Sequence, residues 1–111
     1  MPVGGCALLA GMAACVKQIN PRVRVIGVQA SGADAMVKSF CTKKDVCTDA
    51  VSTIADGIAV KKPGVLTSQL IREHVDEMVT VTDDEIASTI LLLLERTKMV
   101  VEPAGACLLY T

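Results

Sequence analysis

The residues with the clearest chemical potential open the chain, where Pro2-Val3-Gly4-Gly5 runs into an apolar helical pattern. A Gly-Gly turn leading straight into a helix leaves backbone N–H groups unpaired and aims the positive end of the helix dipole at the loop. Phosphate groups are commonly held in this way. Gly4 and Gly5 can also take positive φ and allow a ligand to approach closely. The same pair fits a plain strand-to-helix turn, and the segment is neither a P-loop nor a G-x-G-x-x-G fingerprint. Asp56, beside Gly57, reads on its own as a solvated turn, and Glu102, just before Pro103, as an acid at a helix start. The five cysteines, Cys6, Cys15, Cys41, Cys47 and Cys107, are odd in number, contain no C-x-x-C pair and have only His74 to join them at a metal. Buried free thiols are expected, with no structural zinc and no disulfide framework.

The elements that must position these residues follow from periodicity. Leu8, Met12, Cys15, Val16 and Ile19 fall on one helical face, and Asn20-Pro21 ends that helix because the proline ring disfavours α geometry in the preceding residue. Arg22 to Gln29 is β-branched and largely apolar, as expected of a strand covered on both faces in a parallel sheet. Ala33, Met36, Val37 and Phe40 mark a short second helix. Residues 41–52 form a polar surface excursion with no strong period. Lys61-Lys62-Pro63-Gly64 is a turn, Thr67 to Val75 a helix with Leu70, Ile71 and Val75 on one side, and Met78 to Val81 a strand. Thr82-Asp83-Asp84-Glu85 has the form of a capping box, opening a helix that runs to about Lys98. Ala104 to Thr111 begins another apolar helix. Strands alternating with helices predict an α/β fold, a three-layer αβα arrangement around a mostly parallel sheet. Both ends of the chain are expected to be cut, the first just after a strand and the last inside a helix.

At 111 residues and 51% hydrophobic, the chain reads as a single domain at most, rich in core for its size. A net charge of -1, with one Tyr, one Phe and no Trp, gives no electrostatic footprint or stacking platform for nucleic acid. No purely apolar run is longer than that of Ile90 to Leu94, which is too short to span a bilayer, and nothing resembles a signal peptide. A soluble, cytoplasmic protein is expected.

Taken in order and spacing, PVGGCALLAGMAACVKQINPRVRVIGVQA, TIADGIAVKKPGVLT, VTVTDDEIASTILLLLER and MVVEPAGA closely resemble the threonine dehydratase and serine racemase group of fold-type II pyridoxal-phosphate enzymes. The resemblance runs over essentially the whole chain. It implies that residues 1–111 are part of the large catalytic domain, truncated at both ends, and that the cofactor is pyridoxal 5'-phosphate. The phosphate loop of the group, usually four glycines and a hydrophobe, matches Gly4, Gly5, Cys6, Ala7 and Leu8. Side chains at Cys6 and Ala7 keep the N–H donors but restrict φ. Asp56 and Gly57 would lie by the substrate cleft, and Glu102 near the pyridine ring. Some relatives bind a divalent metal through acids where this chain has Gln29 and Ala35, with a backbone carbonyl at Ala33. Without those carboxylates no such metal is expected.

The resemblance also implies what is missing. In the group, an upstream lysine forms the Schiff base with the cofactor and serves the loss of the substrate's α-proton and β-hydroxyl, giving a 2-oxo acid and ammonia. That motif would precede Met1, none of the lysines here aligns with it, and the small residue at the pyridine nitrogen would follow Thr111. Three readings stay open: an enzyme segment, either a fragment of a longer gene product or one product of a split gene that pairs with a complementary N-terminal segment supplying the lysine, from a homo-oligomeric parent that acts on amino acids; a non-catalytic homologue acting as an interaction protein; and a small domain binding a phosphate-bearing ligand. Serine racemase chemistry in the parent enzyme is a further alternative.

Overall fold

A computed structural model describes residues 1–109 of the chain. Its elements are α1 (Ala7–Ile19), β1 (Ile26–Ala30), α2 (Ala35–Thr42), α3 (Val65–His74), β2 (Glu77–Val81), α4 (Asp83–Thr97) and α5 (Pro103–Ala106), with 3₁₀ turns at Ser31–Ala33 and Asp56–Ile58. β1 and β2 pair in parallel with Val28 opposite Val79. The chain start lies along the other edge of β1: Pro2 bridges Val28, Val28 N–H donates to the Met1 carbonyl at 2.8 Å, and Val3 N–H to the Val28 carbonyl at 2.9 Å. The Gly-Gly turn therefore leaves a short extended segment paired with β1.

Alternation along β1 sends side chains into two cores, one on each face of the sheet. On one face, Leu9, Ala10 and Ala13 of α1, Met36 of α2 and Ile71 of α3 pack with Val3, Val25 and Met78. On the other, Ile86 of α4 and Ala104, Ala106 and Cys107 around α5 pack with Val28, Ala30, Val81, Ala55 and Ile58. Helices on both faces of a parallel sheet make the three-layer αβα arrangement that the alternation of elements predicts.

The expected strand Arg22–Gln29 shortens to Ile26–Ala30, because a ladder exists only where β2 and Pro2 run alongside, and residues 22–24 are exposed. The face of α1 differs as well. Leu8 and Ile19, expected to be inward, are 63% and 79% exposed, whereas Leu9, Ala10 and Ala13 are buried. Small residues on the inner face let the helix approach Gly27, where an added Cβ would lie 2.8 Å from Leu9 Cδ2. Only two thiols, Cys6 and Cys107, are buried; Cys15, Cys41 and Cys47 are exposed, and all five are free. The apolar helix expected over Ala104 to Thr111 is a single turn at Pro103–Ala106, and the last two residues of that expected span lie outside the described ones.

α4 follows its sequence closely. The Thr82 hydroxyl accepts from Glu85 N–H at 3.2 Å and the Glu85 carboxylate accepts from Thr82 N–H at 2.7 Å. At the opposite end of the sheet, the Asp76 carboxylate accepts hydrogen bonds from Lys17 Nζ at 2.9 Å and from Val25 N–H at 2.7 Å, tying α1 to the entries of both strands. The Lys17 hydrogen bond, aided by that of Val25, holds the Asp76 carboxyl below the usual carboxylate range. Among the described residues no helix is long and apolar enough to cross a membrane.

Candidate functional site

Just beyond Val3, the chain turns through Gly4-Gly5 into α1 and forms one wall of an open cleft of ≈ 390 Å³ at the carboxyl ends of the strands. Ligands of open α/β sheets bind at such carboxyl ends. Pro2 and the run from Gly4 to Leu9 line this wall; Gly57 and Ile58 of the 3₁₀ turn and Glu102, Ala104 and Gly105 at the start of α5 line the rest. Segments from the beginning, middle and end of the chain thus meet around one cavity.

The N-terminus of α1 has no side-chain cap and no acid in its first turn, so its amides and dipole are left for whatever occupies the cleft. The residue that makes the turn is Cys6, left-handed at φ 74°, ψ -12°; among the described residues no glycine has positive φ, so the freedom open to Gly4 and Gly5 is not used. Gly4 is required for a different reason. An added Cβ there would lie 3.0 Å from Ile58 Cα, so glycine lets the 3₁₀ turn press against the loop, while Gly5 has open space. The Cys6 thiol is buried and donates to the Gly4 carbonyl at 3.3 Å. Burial pushes its pKa up to about 11, so it stays protonated at neutral pH and adds no negative charge beside the amides.

Strain at Cys6 gives a direct test. A side chain in the left-handed region costs about 1 kcal/mol relative to glycine. Cys6→Gly is therefore expected to be more stable than Cys6→Ala by about 1 kcal/mol in urea unfolding, the reverse of the order of these residues inside a helix. An alanine variant as stable as the glycine one would contradict the strain.

Of the residues singled out in the sequence, the loop from Gly4 to Leu8, Gly57 and Glu102 all line the cleft, whereas Asp56 is exposed and does not. Leu9, Ile58, Ala104 and Gly105 join them without a sequence expectation of their own. Gly105 stands in the VEPAGA motif and could have been read from it; Leu9 and Ile58 become visible only once the packing is known. Among the described residues no lysine lines the cleft. Away from it, the buried Gln29 side chain accepts from Val37 N–H at 2.9 Å, and no group of three or more His, Cys, Asp or Glu among the described residues is placed to hold a metal ion.

The family model described as "Pyridoxal-phosphate dependent enzyme" matches residues 1–111. The chain belongs to the pyridoxal-phosphate-dependent enzyme family. Within it, the chain is 48% identical over 106 residues to the L-threonine ammonia-lyase of Thermotoga maritima, covering 96% of this chain and 26% of that protein. It is 43% identical over 106 residues to the catabolic L-threonine dehydratase of Escherichia coli K12, covering 96% of this chain and 32% of that one. The processed form of threonine deaminase isoform 2 from Solanum lycopersicum superposes with a TM-score of 0.90 at 38% identity, over 96% of this chain and 31% of that chain. Maize serine racemase does so at 0.90 and 34%, over 96% and 32%. The three-layer fold is thus that of fold-type II pyridoxal-phosphate enzymes, and the chain spans between about a quarter and a third of the length of these relatives.

Proposed function

We propose that the chain is part of the catalytic domain of a pyridoxal-phosphate-dependent threonine/serine ammonia-lyase, holding the cofactor's phosphate and lining its ring, with the reactive lysine supplied by polypeptide N-terminal to this segment. The observation that carries this reading is the cleft itself, which gathers the uncapped N-terminus of α1, the Gly57 turn and Glu102 while presenting no lysine among the described residues. The residues fit the phosphate end of the cofactor: the amides of Cys6, Ala7 and Leu8 and the positive end of α1 complement a dianion. Glu102 and Gly105 line the same cleft and would hold the ring, with Gly57 and the substrate beside it. When bound, the cofactor supplies the electron sink that lets an amino acid such as L-threonine lose its α-proton and β-hydroxyl, ending in 2-oxobutanoate and ammonia. This chain's own residues bind, orient and partly enclose; among the described residues no lysine stands in the cleft to move the proton.

The test combines binding and turnover. The chain is expected to bind pyridoxal phosphate reversibly, to form 2-oxo acid from L-threonine no faster than the free cofactor does, and to gain turnover when mixed with the N-terminal portion of the Thermotoga maritima relative. Turnover by the chain alone, or no binding of the ester at millimolar concentration, would overturn the proposal. A second reading, a non-catalytic homologue that associates with an intact enzyme or another copy, is favoured by the exposed stripe Leu8, Met12 and Ile19 on α1 and by exposed Leu91 and Leu94 on α4 and Val100 beyond it. Association without any gain in turnover would select it.

A further inference from the structure

We infer that Asp83 is a positioning residue for the cleft, acting through the Thr53–Ala55 segment on the 3₁₀ turn that carries Gly57 and Ile58; the inference rests on the cleft being the phosphate-ester site proposed above.

Asp83 is the first residue of α4, yet the capping of that helix is completed by Thr82 and Glu85 without it. Its carboxylate reaches back thirty residues instead: Oδ1 accepts from the Thr53 hydroxyl at 2.6 Å and Oδ2 from Ile54 N–H at 3.0 Å. Thr53 Oγ1 in turn accepts from Ala55 N–H at 3.1 Å, and the Ala55 carbonyl accepts from Ile58 N–H at 3.1 Å. An unbroken run of hydrogen bonds therefore leads from the start of α4 to the turn lining the cleft. That turn is wedged between the two other walls: Gly4 meets Ile58 Cα on one side, and a Cβ on Gly57 would lie 3.2 Å from Ala104 Cβ on the other. Since residues 43–55 contain no helix or strand, the turn's approach to the phosphate loop depends on such tethers. Beside the packing of Ala55 and Ile58 in the second core, charge-assisted bonds to a carboxylate are the strong hydrogen bonds of this segment.

The experiment compares Asp83→Ala with Asp84→Ala. Both remove an acid from the first turn of α4 and lose the same dipole interaction, but Asp84 makes no hydrogen bond to the loop among the described residues. Two readouts are taken on the whole chain: affinity for pyridoxal phosphate, and amide hydrogen exchange at Ile54, Ala55 and Ile58. Asp83→Ala is expected to weaken binding and to speed exchange at these amides by about tenfold each, with Asp84→Ala close to the parent in both. Asp83→Asn, which keeps one acceptor oxygen, should recover part of both effects. Thr53→Val should reproduce part of the loss and add little on top of Asp83→Ala. Unchanged exchange in Asp83→Ala, or equal effects of the two alanine variants, overturns the positioning role. Failure of the parent chain to bind the ester overturns the reading of the cleft instead, and the exchange measurement still decides whether Asp83 holds the turn.

Discussion

Leu9→Ala is expected to destabilise the chain by about 2–5 kcal/mol, and Gly27→Ala placed in the same molecule to return part of that loss. Leu9 is 1% exposed and sits where α1 crosses the sheet, among Val3 and Met78. Removing its side chain leaves a cavity directly over Gly27, since an added Cβ on Gly27 would lie 2.8 Å from Leu9 Cδ2, 2.3 Å from Met78 Sδ and 3.0 Å from Val3 Cγ2. In the parent chain that Cβ overpacks the core, at a cost of about 1–3 kcal/mol. In the Leu9→Ala background it enters vacated space, and Met78 can turn its flexible thioether aside. The double variant should therefore lose at least about 1 kcal/mol less than the sum of the single losses, measured by urea unfolding of all four proteins. Additive losses would mean that α1 does not approach Gly27 as closely as described. Because Leu9 also lines the cleft, the single variant is expected to loosen the Gly4–Leu8 loop as well.

Gly32→Ala has the second large expected effect, about 3 kcal/mol of stability. An added Cβ would lie 1.8 Å from the Ser52 carbonyl oxygen and 2.8 Å from its carbon. Both are backbone atoms, so no rotamer change relieves the clash; residue 52 must move. Moving it breaks the Ser52 N–H to Gly32 carbonyl bond of 3.0 Å, worth about a further 1 kcal/mol. It also pulls on Thr53, the next residue, and hence on the tether to Asp83. Gly11→Ala provides the contrast. Its added Cβ meets nothing within 4 Å in the interior of α1, so it is expected to gain about 0.5–1 kcal/mol from helix propensity. Urea midpoints that move the same way in both variants, or a loss below about 1 kcal/mol for Gly32→Ala, would contradict the close crossing of residues 32 and 52.

Much of the fold is legible along the chain because its signals are local. The capping box at Thr82 and Glu85 requires two residues three apart, and it is present as expected. The stop at Asn20-Pro21 follows from proline geometry, and α1 ends at Ile19. The inner face of α1 departs from expectation because two apolar stripes overlap on it: large residues at Leu8, Met12 and Ile19, smaller ones around Ala10 and Ala13. Hydrophobicity favours the first stripe, but burial against a sheet and α3 favours the second, where the backbone can come close. Likewise Arg22–Val25 has strand composition, yet a ladder depends on a neighbour that composition does not reveal.

Neighbouring residues were enough to establish the alternation of strands and helices, the helix start behind Gly4-Gly5, and the motifs that place the chain among pyridoxal-phosphate enzymes; each depends on groups close together along the chain. Three features needed the folded molecule: Cys6 rather than a glycine makes the left-handed turn, Gly57 reaches the cleft while Asp56 stays outside, and Asp83 holds a loop thirty residues away. Those are contacts between distant segments, set by how the helices settle on the two faces of the sheet, and no local pattern encodes them.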